Sequence, residues 1–216
     1  MKTLIISLLL FITINAQNVW YVDRYATGSS DGTSWANAWK HIGVAGGGYG
    51  GINWNVIGAG DTIYVSGGAD STLYLPLFQG QPHYIDPTGT YTFMTQVVIA
   101  PAWQSGHNGK VYIGQADNLQ AKTLFQIGGL SGIVNNVKVT GFTFIDLREY
   151  GAPVGGLIQI AGDNNVIDNC HIITAGLSPV FGLDGYNLRV SNCVIEDPPN
   201  EYTAGQDIFG IYQGRG

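Results

Sequence analysis

Charge is what this 216-residue chain has least of: Asp, Glu, Lys and Arg together supply 11% of it, against roughly 25% in an ordinary globular protein. Basic residues are scarcer than acidic ones, and the formal net charge of −6 argues against a nucleic-acid partner, whose binding rests on Lys and Arg neutralising phosphates. Cysteine is nearly absent, with only Cys170 and Cys193 present. There is no H-E-x-x-H, no phosphate loop and no C-x-x-C, so the common zinc-protease, nucleotide and thiol-redox motifs are excluded. His41, His83, His107 and His171 lack metal-ligand spacing, and no tight acidic cluster offers the converging oxygens that calcium needs. No metal site and no cofactor is expected.

Long apolar runs are missing too, with one exception. Leu4 to Ile14 is apolar apart from Ser7 and Thr13, Lys2 precedes it, and Ala16 is a small residue before Gln17. That pattern reads as a signal peptide over residues 1–16. The run is too short to cross a bilayer, which takes about 20 residues. A secreted or cell-surface protein without a membrane span is the expectation.

Glycine, at 32 residues, is abundant, and β-prone segments recur among the glycines. From Leu124 the order is Leu124-Phe125-Gln126-Ile127, Val137-Lys138-Val139, a turn at Gly141, then Phe142-Thr143-Phe144. It returns as Leu157-Ile158-Gln159-Ile160, Val166-Ile167, Asn169, Cys170-His171-Ile172. A third copy is Val180-Phe181-Gly182-Leu183, Leu188-Arg189-Val190, Asn192, Cys193-Val194-Ile195. A fourth opens at Ile208-Phe209-Gly210-Ile211. Each segment is long enough for a strand and too short for a helix. Three strands per unit, repeated, mark a coil that stacks on itself.

The corner between second and third segments is only Thr140-Gly141, Asp168-Asn169 or Ser191-Asn192. So short a corner needs positive φ, which Gly and Asn tolerate. Stacking sets Asn169 above Asn192, where amides can bond along the stack, and puts Phe142, Cys170 and Cys193 inside. Strand spacing brings the two cysteines about 4.8 Å apart, within disulfide range. A disulfide is the default for a secreted chain, but in-register side chains point the same way, which favours two buried free thiols.

These units resemble the right-handed parallel β-helix of the pectate-lyase-like superfamily, over roughly residues 120–216. The resemblance implies an all-β solenoid whose first sheet, walled by loops from the third strand, binds extended polysaccharide. Residues 17–67 read as an N-terminal cap with the first strand. Trp20 to Asp23 is a strand, Gly28 to Gly32 a polar loop, and Gly60 to Val65 a turn into the next strand. Thr33 or Ser34 would cap a brief helix with Trp35, Trp39 and Ile42 on one face. The string YVD…DGTSWANAWKHI…GDTIYV is similar to caps of secreted β-helix proteins, polysaccharide lyases among them. A helix packed on an ordinary β-sandwich is the competing reading.

Residues 68–216 are assigned to the coils, with 68–123 read as one coil bearing a long insertion. Thr95 to Ala100 and Lys110 to Ile113 are its strands, and Leu75 to Thr88 is an aromatic-bearing loop with Phe78, His83 and Tyr84. The chain stops one strand into a new coil, so it reads as truncated at its C-terminus.

Period-two alternation puts Gln126, Gln159, Gly182 and Gly210 in one outward column on the first sheet, with Asp184 and Tyr212 next along it. The loops from Asp146 to Gly156 and from Glu196 to Asp207 both carry Glu-Tyr, as Glu149-Tyr150 and Glu201-Tyr202. An aromatic ring beside a carboxylate suits a sugar, since the ring meets the C–H face and the carboxylate accepts from hydroxyls. Gln126, Gln159, Tyr150, Tyr202 and Tyr212 are therefore candidate substrate-binding residues. A lyase also needs a base and a group to neutralise the uronate carboxylate, for which Arg148, Glu149 and Asp184 are weak candidates. The competing role for Arg148 and Glu149 is a solvated ion pair. Lys138 and Arg189 sit on the second strand, away from that face. The function expected is action on extracellular polysaccharide, by a lyase or glycoside hydrolase, or else adhesin-like binding without catalysis.

Overall fold

The structure is a computed structural model that describes residues 17–43, 50–76, 83–85, 89–114, 123–128, 133–146, 157–174 and 180–196, with 211–213 in backbone. Its strands form three sheets. Sheet 2 contains β1 (Val19–Val22), β2 (Thr62–Val65), β5 (Tyr91–Pro101), β8 (Val134–Thr140), β11 (Val166–Asp168) and β14 (Arg189–Ser191). Sheet 3 contains β3 (Ser71–Tyr74), β6 (Lys110–Gly114), β9 (Thr143–Asp146), β12 (His171–Thr174) and β15 (Val194–Glu196). Sheet 1 contains β4 (His83–Ile85), β7 (Phe125–Ile127), β10 (Ile158–Ala161), β13 (Phe181–Asp184) and β16 (Ile211–Gln213). From β2 onward successive strands visit sheets 2, 3 and 1 in turn, and every pairing is parallel. The fold is a parallel β-helix.

Register explains the core. Ile63, Ile99, Val139 and Ile167 stack inside sheet 2, and Ile113, Phe144 and Ile172 inside sheet 3, all fully buried. Phe125, Ile158 and Phe181 stack inside sheet 1. Each such side chain contributes about 1.5–3 kcal/mol on burial, so a ladder of like residues forms a continuous core without any long element.

The corners follow the residue types. Gly141, Asn169 and Asn192 have φ of 81°, 50° and 53° and precede in-register residues of sheet 3. The amide of Asn192 donates not to Asn169 but to Asp168 Oδ1, at 2.9 Å. A second corner column, Asn136, Asn164 and Asn187, has φ of 63°, 58° and 58°, and there Asn187 Nδ2 does donate to Asn164 Oδ1, at 3.0 Å. Between the two corners Asn165 is fully buried. Its Oδ1 accepts from Val137 N at 2.9 Å and its Nδ2 donates to Val134 O at 2.6 Å, tying adjacent coils together.

Residues 68–123, read above as one coil with an insertion, hold four strands, β3 to β6, which belong to two successive coils. The expected strands at Thr95–Ala100 and Lys110–Ile113 lie within β5 and β6. His83 and Tyr84, assigned to a loop, lie in β4.

The cap departs from expectation in one element. Residues 33–42 form turns and isolated bridges, not a helix. Their backbone groups are used elsewhere: Trp39 N donates to Tyr21 O at 2.9 Å and Asp23 N to Trp39 O at 2.7 Å, which extends the parallel pairing of β1. Asp31 and Ser34 accept locally from Thr33 N and Asn37 N, closing turns that compete with a helix. Burial still follows the apolar pattern, since Trp39 and Ile42 are buried and Trp39 stacks on Trp20 with centroids 5.4 Å apart. The cap then runs over the edge of sheet 1. A Cβ on Gly43 would stand 2.4 Å from Tyr84 N, so only glycine allows this approach.

One buried carboxylate fastens the cap to the first coil. Asp61 is 1% exposed and accepts from Asn18 N at 2.8 Å, Trp20 Nε1 at 2.7 Å and Gly58 N at 2.8 Å.

Candidate functional site

Sheet 1 assembles an outward column longer than the repeats alone indicate. Tyr84 pairs in register with Gln126, Gln126 with Gln159, Gln159 with Gly182, and Gly182 with Tyr212. Neighbouring strands are about 4.8 Å apart, so these positions rise in even steps along the helix axis. Asp184 follows Gly182 by two residues and is exposed. The expected strand at 208–211 is found at 211–213, two residues later, and Ile208, Phe209 and Gly210 lie outside the described residues. A two-residue slip preserves which residues face in and out, so alternation alone could not separate the registers. It sets Tyr212, not Gly210, beside Gly182.

The column is not uniformly open. Gln126 is 8% exposed, whereas Gln159 and Tyr84 are half-buried. Burial raises the phenol pKa of Tyr84, keeping the hydroxyl protonated and able to donate. Arg148, Glu149, Tyr150 and Tyr202 lie outside the described residues. Of the weak catalytic candidates, Asp184 alone is described, and it is the one carboxylate among the described outward positions of sheet 1.

Lys138 and Arg189 lie on sheet 2. Lys138 Nζ sits 2.7 Å from Asp168 Oδ2, while Ser191 Oγ donates to Asp168 Oδ1 at 2.8 Å. Those partners hold the Asp168 carboxyl well below the usual range, the bond from Lys138 first among them. Lys138 is thus committed to the stack, on a different sheet from the Gln column.

Sheet 3 carries a feature that the sequence reading missed. A groove of about 290 Å³ runs past Gly141, Thr143, Asn169, His171, Asn192 and Glu196. His171 Nε2 lies 2.9 Å from Glu196 Oε2, on strands one coil apart. The pairing was hidden because residues 25 apart in sequence meet only once the register is known. The pair is in contact without hydrogen-bond geometry, and Phe142, the one phenyl ring in the lining, is 1% exposed and offers no open platform.

Elsewhere, His83 is buried and its Nε2 lies 3.1 Å from Gly114 O. His107 stacks on Trp35 with centroids 3.9 Å apart, and its Nδ1 meets both Ser66 Oγ at 2.9 Å and Asp23 Oδ2 at 3.4 Å. With serine and carboxylate on the same nitrogen, this is not the relay of a Ser-His-Asp triad, which uses both ring nitrogens. It fastens the 102–109 turn to the cap. Among the described residues no three His, Cys, Asp or Glu side chains converge to hold a metal ion, and no helix is long and apolar enough to cross a membrane.

No family model matches the chain, and no curated protein or solved structure matches it either.

Proposed function

We propose that this is an extracellular polysaccharide-binding β-helix, with the outer face of sheet 1 as the glycan surface. The observation that carries the reading is the unbroken register column Tyr84–Gln126–Gln159–Gly182–Tyr212. It pairs amides, which can donate to and accept from hydroxyls, with tyrosine positions at both ends. An extended polymer of repeating hydroxylated rings fits an evenly stepped surface. Export rests on the leader-like residues 1–16.

If the protein is an enzyme, lyase or glycoside-hydrolase chemistry requires an acid and a base across this face, with Asp184 as one candidate and Arg148 and Glu149 as the loop residues to supply the rest. The second reading, binding without catalysis, is favoured by the single carboxylate among the described outward positions.

The test is a calorimetric titration of plant and algal oligosaccharides against the wild type and Gln159→Ala, with an assay for unsaturated uronate and for reducing ends. Removing one side chain's hydrogen bonds, worth about 0.5–1.5 kcal/mol, should weaken binding several-fold, read at a temperature where both proteins are folded. Binding with released product supports the enzyme, and binding alone supports the second reading. Equal affinity of the two proteins moves the glycan off sheet 1.

A further inference from the structure

Cys170 and Cys193 occupy equivalent places in successive coils, each just before the in-register residues His171 and Val194. Val194 N donates to Cys170 O at 2.9 Å, fixing the two backbones as nearest neighbours. Both side chains are free thiols, as the sequence reading favoured. Their orientations repeat: Cys170 Sγ lies 3.3 Å from Asp168 O, and Cys193 Sγ lies 3.2 Å from Ser191 O, the carbonyl two residues back in each coil. Their surroundings differ, because Cys170 is 2% exposed while Cys193 is only half-buried.

We infer that Cys170 and Cys193 form a redox-active dithiol, which a low-molecular-weight disulfide converts into a bridge between adjacent coils. Strand neighbours about 4.8 Å apart fall inside the Cα separation that a disulfide accepts, about 4.4–6.8 Å. Rotation of the two neighbouring side chains would then bring the sulfurs to bond length. The order of events follows from exposure. The Cys193 thiolate attacks one sulfur of the incoming disulfide, forming a mixed disulfide and expelling one small thiolate. Cys170 gives up its proton and attacks Cys193 Sγ, forming the Cys170–Cys193 bond and expelling the second small thiolate. The protein loses two hydrogens and two electrons, and the reagent is reduced to two thiols. The buried thiol is a poor first nucleophile on two counts, since its neighbour Cys193 and burial both raise its pKa. Its neighbour Cys170 shifts the Cys193 thiol the other way.

The bridge would staple the coil bearing β12 to the coil bearing β15, whose inward Val190 and Ile195 are only partly buried.

The experiment incubates the native protein with glutathione disulfide and reads intact mass, followed by peptide mapping and melting. The expected product is two hydrogens lighter than the starting protein, carries no glutathione, joins Cys170 to Cys193, and melts several degrees higher. Cys170→Ser should instead keep one glutathione, on Cys193. Either of two wild-type results overturns the inference: a stable glutathione adduct with no internal bridge, or no reaction unless the protein is first unfolded. Because the wild-type product decides, a variant that folds poorly leaves the test intact.

Discussion

Replacing Asp61 by Ala is expected to lower the unfolding free energy by about 3–5 kcal/mol, the largest effect of any single side chain considered. Three donors converge on this carboxylate, from Asn18, Trp20 and Gly58, at 2.7–2.8 Å. Hydrogen bonds to a charged group contribute about 1.5–3 kcal/mol each, and a buried donor left without its partner carries its own desolvation cost of about 1–3 kcal/mol. The contributions do not add fully, because water can enter once the carboxylate is gone and reach some of the donors. The loss falls on the cap, which covers the first coil, so the apolar cross-section there opens with it. Trp20, Trp35, Trp39 and Trp54 all lie in that region, and urea denaturation followed by tryptophan fluorescence reads it directly. A change below 1 kcal/mol would mean that Asp61 does not fasten the cap.

The second large effect is a loss of stability in mild acid. His83 is buried at 2% exposure. Removal from water pushes its pKa down from 6.5 to about 4, against the bond to Gly114 O, which favours the charged form. Unfolded, the imidazole takes a proton below about pH 6.5, while the folded protein refuses it until about pH 4. The unfolded state therefore binds more protons across that window, and stability falls as pH falls through it. At 1.36 kcal/mol per unit, the loss between pH 7.5 and pH 5 is about 2 kcal/mol from this group. His41 adds to it, because burial and then the charges of Arg24 and Lys40 lower its pKa as well. Carboxylates contribute little there, since their ordinary pKa values of about 3.9–4.3 lie below the window. Denaturation in urea at a series of pH values should show a flat plateau above pH 7 and a decline toward pH 5. His83→Gln should flatten most of the decline, and a wild type equally stable at pH 5 and pH 7.5 contradicts the burial of a neutral imidazole.

The sequence made the coils legible for a specific reason. A two-residue corner leaves the chain no route except positive φ, and Gly141, Asn169 and Asn192 are the residue types that take it. The second corner carried the same signal in Asn164 and Asn187, which are 23 residues apart, the spacing of the coil itself. It passed unread because the longer turn around it lacks the tight strand-corner-strand pattern. The cap misled in a different way. Trp35, Trp39 and Ile42 have helical spacing, but the backbone of Trp39 is claimed by Tyr21 of β1 and by Asp23, partners distant in sequence. Tyr84 was invisible as part of the outer column because β4 holds only three residues, amid a stretch without repeats. His171 and Glu196 could not be paired before the register of β12 against β15 was known.

Backbone amide chemical shifts followed during titration with a bound oligosaccharide test the central claim most directly. If the column on sheet 1 is the glycan surface, the shifts that move should cluster in β4, β7, β10 and β13, around Tyr84, Gln126, Gln159 and Gly182. Those of Lys138, Val166 and Arg189 on sheet 2, and of Thr143 and His171 on sheet 3, should stay in place. Perturbations confined to sheet 2, or to the groove between His171 and Glu196, would contradict the account.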